Sequence, residues 1–451
     1  MSGTASLRIA IVADYLEEGW PSMDLVADML FEQLHRRHAG TIDATLVRPR
    51  MPQRLSRALA GRMGSSIVDR IAARQLHYPR VLAALPQTFD VYHIIDHSYG
   101  HLALGLPGER TMVTCHDIDA FRSILQSDDE RRAWPYRRMA RRILDGVRRA
   151  SRVACDSAAT RDALETLGGI PAERLTVIPN GTDTGGRADA DLEADREAAL
   201  MLGPRGRFEL LHVGSTIPRK RIDVLLDAFA AVRASRPEAR LVRVGGPFTA
   251  EQRIRARELG VLDAIVVLPF VDRVTLAAVY HRATVAMLPS EREGFGLPVV
   301  EALACGTPVV ASDIPALREV GGDAVTFAPV GDIRAWRDAV LGLADERDRD
   351  AAAWRARKAC GLARAAEFSW SRYADEVAAM YATVAAAARP AAAMRPDAPV
   401  PAAPSAQSAP LTSLGSSTLR SSTLPSMAAW NASSNCCAAR ATASPRITCS
   451  R

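Results

Sequence analysis

Aromatic residues are scarce in this chain. Phe, Tyr and Trp make up 5% of 451 residues, against a hydrophobic content of 48%. A core built on stacked rings is excluded, and Ala, Val and Leu must fill the interior. Cysteine is sparse too, with seven in all. Cys115, Cys155, Cys305 and Cys360 are scattered without the close pairing of a zinc site, and Cys436, Cys437 and Cys449 fall in a compositionally biased tail. This usage fits reduced thiols in a cytosolic protein and gives no sign of a metal centre. Long apolar runs are missing. Leu7 to Ala13 is apolar, but Asp14, Glu17 and Glu18 follow at once, unlike a secretory signal. Nothing is long enough to span a bilayer. The expected location is cytoplasmic, in solution or peripheral on a membrane face. A strong charge of one sign is also lacking. The net +6 is modest for this length and does not argue for nucleic acid.

What is present is alternation. Apolar runs at Leu7–Ala13, Ile42–Val47, Val91–Ile95, Thr111–Cys115, Arg152–Cys155 and Leu175–Ile178 read as strands, separated by segments of helical period. Ser22 is placed to cap a helix running to about His38. The pattern lapses after Pro179-Asn180-Gly181 and restarts with strands at Phe208–Val213, Arg240–Val244, Ile265–Leu268, Thr284–Leu288, Pro308–Ala311 and Ala324–Phe327. This is the grammar of two doubly wound α/β units in tandem. The expected division is a first Rossmann-like domain over 1–185 and a second over 186–368. A closing helix over 369–387 carries Trp370, Tyr373, Val377, Met380 and Tyr381 on one face. An Ala/Pro/Ser-rich tail over 388–451 is too poor in apolar surface to offset its ordering entropy.

The most informative stretch is Glu293-Gly294-Phe295-Gly296-Leu297-Pro298 through Glu301 to Gly306. Gly294 and Gly296 let backbone approach a ligand. Pro298 suits a first helical turn, and Gly306 suits its end. A loop with free N–H groups at a helix N-terminus, after a strand, is an anion site in the crevice of an open parallel sheet. Glu301, about one turn in, can accept from ribose hydroxyls, and Glu293 can reach a second sugar. Gly214-Ser215, followed by Arg219-Lys220, forms another strand-to-helix junction. Cations are unfavourable there unless an anion is bound, and such cations can stabilise a departing diphosphate.

These residues resemble glycosyltransferase family 4, the group-1 glycosyltransferases, over nearly all of residues 7 to 386. The Glu293–Glu301 spacing matches the family's paired-glutamate motif, and Arg219-Lys220 its basic donor-phosphate motif. Pro179 to Asp183 and Pro315 to Glu319 resemble flanking family segments. The resemblance implies a GT-B fold, two Rossmann-like domains facing a cleft, with the closing helix returning to the first. It implies a retaining transfer of a hexose-type sugar from a nucleotide diphosphate-sugar to a glycan or lipid-linked acceptor. No metal or other cofactor is then needed. It maps sugar contacts onto Glu293, Gly294, Phe295 and Gly296, a backbone N–H to phosphate onto Leu297, and the ribose contact onto Glu301. His116 would line the reacting centre beside the donor sugar, and Gly19 would approach the donor phosphate. The chain departs from the family at Ser215, where many members carry Arg; Arg219 is placed to substitute.

Other readings use the same residues. A sugar-nucleotide epimerase or hydrolase would need no acceptor, and a catalytically dead scaffold would bind without turning over. A dinucleotide oxidoreductase is disfavoured because Asp14-Tyr15-Leu16-Glu17-Glu18-Gly19 is not a Gly-x-Gly-x-x-Gly turn. His93, His97 and His101 are not spaced as helical metal ligands. Two Arg-rich stretches, Arg48 to Arg74 and Arg131 to Arg149, are read either as solvated helix faces or as docking sites for anionic lipid.

Overall fold

A computed structural model describes residues 6–53, 65–86, 88–126, 132–182, 192–206 and 208–393. The expected tail from 394 onward lies outside these residues, as do Arg54, Arg57, Arg62 and Arg131.

Among the described residues, twelve strands form two sheets. The first contains β1 (Leu7–Val12), β2 (Ile42–Val47), β3 (Val91–Ile94), β4 (Thr111–Cys115), β5 (Arg152–Cys155) and β6 (Leu175–Val177). The second contains β7 (Phe208–Val213), β8 (Ala239–Val244), β9 (Ile265–Leu268), β10 (Val285–Leu288), β11 (Val309–Ser312) and β12 (Val325–Ala328). The orders are β2-β1-β3-β4-β5-β6 and β12-β11-β10-β7-β8-β9, and the adjacent strands pair in parallel. Central strands such as β4 and β10 are buried at every position, because helices cover both faces of a parallel sheet. Edge strand β2 instead alternates between buried and exposed residues.

Each sheet has a switch point where the winding reverses direction. In the second sheet it lies between β7 and β10, which are neighbours in space but not in sequence. A crevice opens outside the strands' carboxyl ends at such a point. β7 leads into Gly214–Lys220 and β10 into Ser290–Gly296, so the topology sets the two motif loops side by side.

Three elements differ in detail from expectation. The first helix spans Pro21–Arg37, with Trp20 at its N-cap and Pro21 opening it; Ser22 is inside rather than capping, since proline fixes the starting φ. A helix at Leu192–Leu202 occupies a stretch where no regular pattern was legible. The closing helix runs Trp370–Ala393, past the expected end. Trp370, Tyr373, Val377, Met380 and Tyr381 pack with Ile9, Ile11, Val26 and Leu30 of the first sheet's layer. Tyr381 Oη lies 2.7 Å from His93 Nδ1, and His93 Nε2 lies 2.8 Å from Thr114 Oγ1. A parallel bridge pairs Thr182 with Ser369. Gly181 fits there because a Cβ would stand 2.3 Å from the Trp370 nitrogen.

Candidate active site

The site is assembled from loops of both sheets. After β7 the chain makes a short helical turn at Pro218–Lys220, then a long helix at Ile222–Ser235. Between them Arg221 adopts φ 48°, the one positive φ of a non-glycine residue among the described residues. Backbone in that region is costly for a side-chain-bearing residue and marks a constrained turn. This turn buries Lys220 and aims it at Glu293. Lys220 Nζ donates to Glu293 Oε1 at 2.5 Å, Arg219 donates to Oε2 at 3.0 Å, and Ser290 Oγ donates to Oε1 at 2.6 Å. Arg219 also donates to the Arg292 carbonyl at 3.0 Å. Burial alone would push the Glu293 carboxyl up, but Lys220 and then Arg219 bring it down to about 2. Both sequence-predicted cations and the first glutamate thus meet in one ion cluster.

The first sheet contributes acids to the same cluster. Asp119 Oδ2 lies 3.0 Å from Arg219 Nε, and its other oxygen lies 3.2 Å from Arg292 Nε. Asp117 Oδ2 is 3.5 Å from Arg219. Burial, then the neighbouring Asp117 charge, raises the Asp119 pKa. Two carboxylates of one lobe therefore hold the basic motif of the other. The resemblance did not map Asp117, Asp119, Ser290 or Arg292 into the site. Their pairing is non-local, and nothing in their spacing signals it.

Gly294 lies where the loops touch. A Cβ on it would be 1.6 Å from the His116 carbonyl oxygen and 2.9 Å from Asp117 Cβ. Gly296 takes φ 103° as the N-cap of the Leu297–Ala304 helix, with Pro298 in its first turn. Leu297 opens that helix, so its N–H is among those without an intrahelical acceptor. The Phe295 ring is buried, edge-on to Phe368 with centroids 5.6 Å apart; any ligand contact from it would come from backbone. Glu301 lies on the same helix and accepts from Tyr280 Oη at 3.1 Å. It adjoins Arg273, whose pKa burial lowers and Glu301 raises. Glu301 therefore sits among residues of the neighbouring Arg273–Arg282 helix rather than in the Lys220–Glu293 cluster. Gly214 takes φ 153° and would meet Lys220 Cε at 3.8 Å, so it lies beneath the cluster with Ser215 beside it.

His116 follows β4 directly and is buried. Its backbone carbonyl faces Gly294, but its ring turns inward. Nδ1 lies 2.7 Å from Asp156 Oδ2 and Nε2 lies 2.8 Å from the Ile95 carbonyl. Burial would lower its pKa, yet the Asp156 carboxylate raises it to about 9. The ring is therefore a held imidazolium with both nitrogens engaged. Asp156 also accepts from Asn180 Nδ2 at 2.6 Å. Gly19 takes φ 66° after a single turn at Leu16–Glu18, beside β1. It belongs to the first lobe's loops. Among the described residues, no cluster of His, Cys, Asp and Glu is arranged to hold a metal ion.

The Arg-rich stretches divide. Arg48 pairs with Asp28 at 2.7 Å, while Arg70 and Arg74 turn to the buried Glu18. The helix Trp134–Arg149 instead presents Arg138, Arg141, Arg142, Arg148 and Arg149 outward, with Trp134 69% exposed.

Comparison with known proteins agrees with this architecture. The family model described as glycosyl transferases group 1 matches residues 202–381, and that described as glycosyltransferase family 4 matches residues 27–185. A D-inositol 3-phosphate glycosyltransferase of Actinosynnema mirum is 32% identical over 66% of this chain and 73% of its own length. One of the same name from Segniliparus rotundus is 35% identical over 46% of this chain and 47% of its own. The chain thus spans about half of that second relative. Among solved structures, a sucrose-phosphate synthase from Thermosynechococcus elongatus superposes with a TM-score of 0.63 at 21% identity, covering 84% of this chain and all of that one. With two parallel six-stranded sheets and both family segments in order, the chain belongs to glycosyltransferase family 4, the group-1 glycosyl transferases, and has the GT-B fold.

Proposed function

We propose that this enzyme transfers a hexose, with retention of anomeric configuration and without a metal ion, from a nucleotide diphosphate-sugar to a hydroxyl acceptor. The observation that carries the reading is the Arg219–Lys220–Glu293 cluster beside the N-terminus of the Leu297–Ala304 helix, at the switch point of the second sheet. The donor's diphosphate would meet two fixed cations and the helix end. The bond from the anomeric carbon to the diphosphate oxygen breaks, and the acceptor oxygen bonds to the same face of the sugar. The acceptor proton passes to the departing diphosphate, so no protein nucleophile is required. Negative charge grows on the leaving group as the bond breaks, which is where preorganised cations act most strongly. Glu293 holds Lys220 and Arg219 in place and is positioned to accept from a sugar hydroxyl. Glu301, farther along the helix, would take the ribose.

The first lobe supports an acceptor that presents hydroxyls. Around the carboxyl ends of β1 and β3 lie the buried acids Asp14, Glu18 and Asp96. Arg70 and Arg74 are already committed to Glu18. This favours a glycan or the glycan part of a lipid-linked acceptor over a phosphorylated one. A second reading concerns location. The outward arginines of the Trp134–Arg149 helix, with exposed Trp134 at its start, suit an anionic membrane surface. No helix among the described residues is long and apolar enough to cross a membrane. Flotation on vesicles with and without anionic lipid tests this; flotation indifferent to lipid charge removes it.

A thermal-shift panel of UDP- and GDP-sugars, followed by transfer to candidate acceptors including D-inositol 3-phosphate, tests the main reading. A ligand that binds the native state alone raises its melting temperature. Stabilisation by one nucleotide sugar and an acceptor-dependent product are expected. Stabilisation by none, or sugar release independent of acceptor, refutes transfer.

A further inference from the structure

The second domain has a cavity that the transfer reaction does not use. It is open to solvent, has a volume of about 170 Å³ and is lined by Arg205, His281, Thr284, Arg347, Trp354 and Lys358, with backbone from Gly206 and Gly306. It opens at the amino ends of β7, β10 and β11, because Thr284 and Pro308 immediately precede β10 and β11 and Gly206 stands two residues before β7. The Lys220–Glu293 cluster lies at their carboxyl ends. The two sites are on opposite edges of one sheet.

Among the described residues, three cations line this cavity and no carboxylate does. Lys358 has neither an ion-pair nor a hydrogen-bond partner among the described residues. Arg205 donates to the carbonyls of Arg282 and His281 at 3.1 and 3.3 Å. Arg347 pairs with Asp348 at 2.8 Å and donates to Thr284 Oγ1 at 3.2 Å. His281 Nε2 is sealed from solvent and has no partner, which is unusual for a buried polar atom. Two helices, Arg273–Arg282 and Leu297–Ala304, end here, and their carbonyl ends disfavour an anion. Arg205 ties down two of those carbonyls, and Thr307 Oγ1 donates to a third, that of Tyr280, at 2.7 Å. Carbonyls at the end of the Arg273–Arg282 helix are thus answered by Arg205 and Thr307, Arg347 faces the cavity while held by Asp348 and Thr284, and Lys358 carries a charge that no described residue offsets.

We propose that this cavity binds a small phosphomonoester. The phosphate sits between Lys358, Arg347 and Arg205, and a short hydroxylated body rests against Trp354. Size sets the class. At about 170 Å³ the space falls below the ~300 Å³ at which pockets for larger ligands begin. A nucleotide sugar is too large for it.

The test uses the full chain and two probes, inorganic phosphate and glycerol 3-phosphate, titrated by calorimetry in low-salt chloride buffer. Wild type is compared with an Arg205→Gln/Lys358→Gln double variant and with Lys220→Ala. Arg205 and Lys358 are exposed and outside the core, and melting curves verify that the variants are folded. The expected result is saturable glycerol 3-phosphate binding, weakened at least tenfold in the double variant and retained in Lys220→Ala. Any other pattern overturns the proposal: no saturable binding up to roughly 10 mM, binding indifferent to the double variant, or binding lost with Lys220, which would put the anion in the donor site.

Discussion

Replacing Gly294 by alanine probes the contact between the lobes with one methyl group. The added Cβ would stand 1.6 Å from the His116 carbonyl oxygen, whereas such a carbon–oxygen pair settles near about 3.3 Å. Both partners are backbone, so no side chain can swing away. The loops must part by more than ~1.5 Å, which separates Glu293 and the cations that it holds from the first lobe. A misplacement of about 1 Å at a reacting centre can cost on the order of 100-fold, or about 2.7 kcal/mol of transition-state stabilisation. We therefore expect kcat/KM for transfer, measured as nucleoside diphosphate release, to fall about 100-fold. The melting temperature should move by only a few degrees, because the loops can separate without uncovering either core. A kcat/KM within threefold of wild type at unchanged melting temperature would refute the reasoning.

Lys220→Ala should abolish transfer while leaving a folded protein, and should raise the Glu293 pKa; unchanged turnover would remove Lys220 from the mechanism. Asp119→Asn removes a carboxylate that holds Arg219 and Arg292. Partly exposed ion pairs contribute about 0.2–1 kcal/mol, so nucleoside diphosphate binding should tighten by about 1.4- to fivefold, and calorimetry that shows equal or weaker binding contradicts this. His116, raised to about 9 by Asp156, should titrate by NMR near that value. Its stabilising contribution is complete below the ordinary histidine pKa and is lost as pH rises through about 9. Asp156→Asn should bring the midpoint down, and an unmoved midpoint would mean another cause. Tyr381→Phe strips the buried His93 Nδ1 of its partner and should cost about 1–3 kcal/mol in denaturant melts. Transfer should survive excess EDTA, whereas activity restored only by a divalent ion would overturn the metal-free reading.

Much of this was legible in the sequence because its signals are local. Buried strands such as Thr111–Cys115 read as apolar runs, and Gly294, Gly296 and Pro298 mark a loop turning into a helix. The adjacency of Lys220 and Glu293 followed from the family resemblance together with winding rules. What was not legible is set by tertiary contact. The inward turn of His116 depends on Asp156, forty residues away, and on the Ile95 carbonyl just past β3. The hold of Asp117 and Asp119 on Arg219 spans both lobes. The Leu192–Leu202 helix gives little sequence signal because its apolar stripe is short, with only Ala194, Ala198 and Leu202 buried.

The most direct test of the central claim is a crystal structure of the enzyme with the nucleoside diphosphate that the panel identifies. The diphosphate is expected within hydrogen-bond reach of Lys220 Nζ and the first N–H groups of the Leu297–Ala304 helix, with the ribose at Glu301. A diphosphate bound away from both Lys220 and that helix end would contradict it.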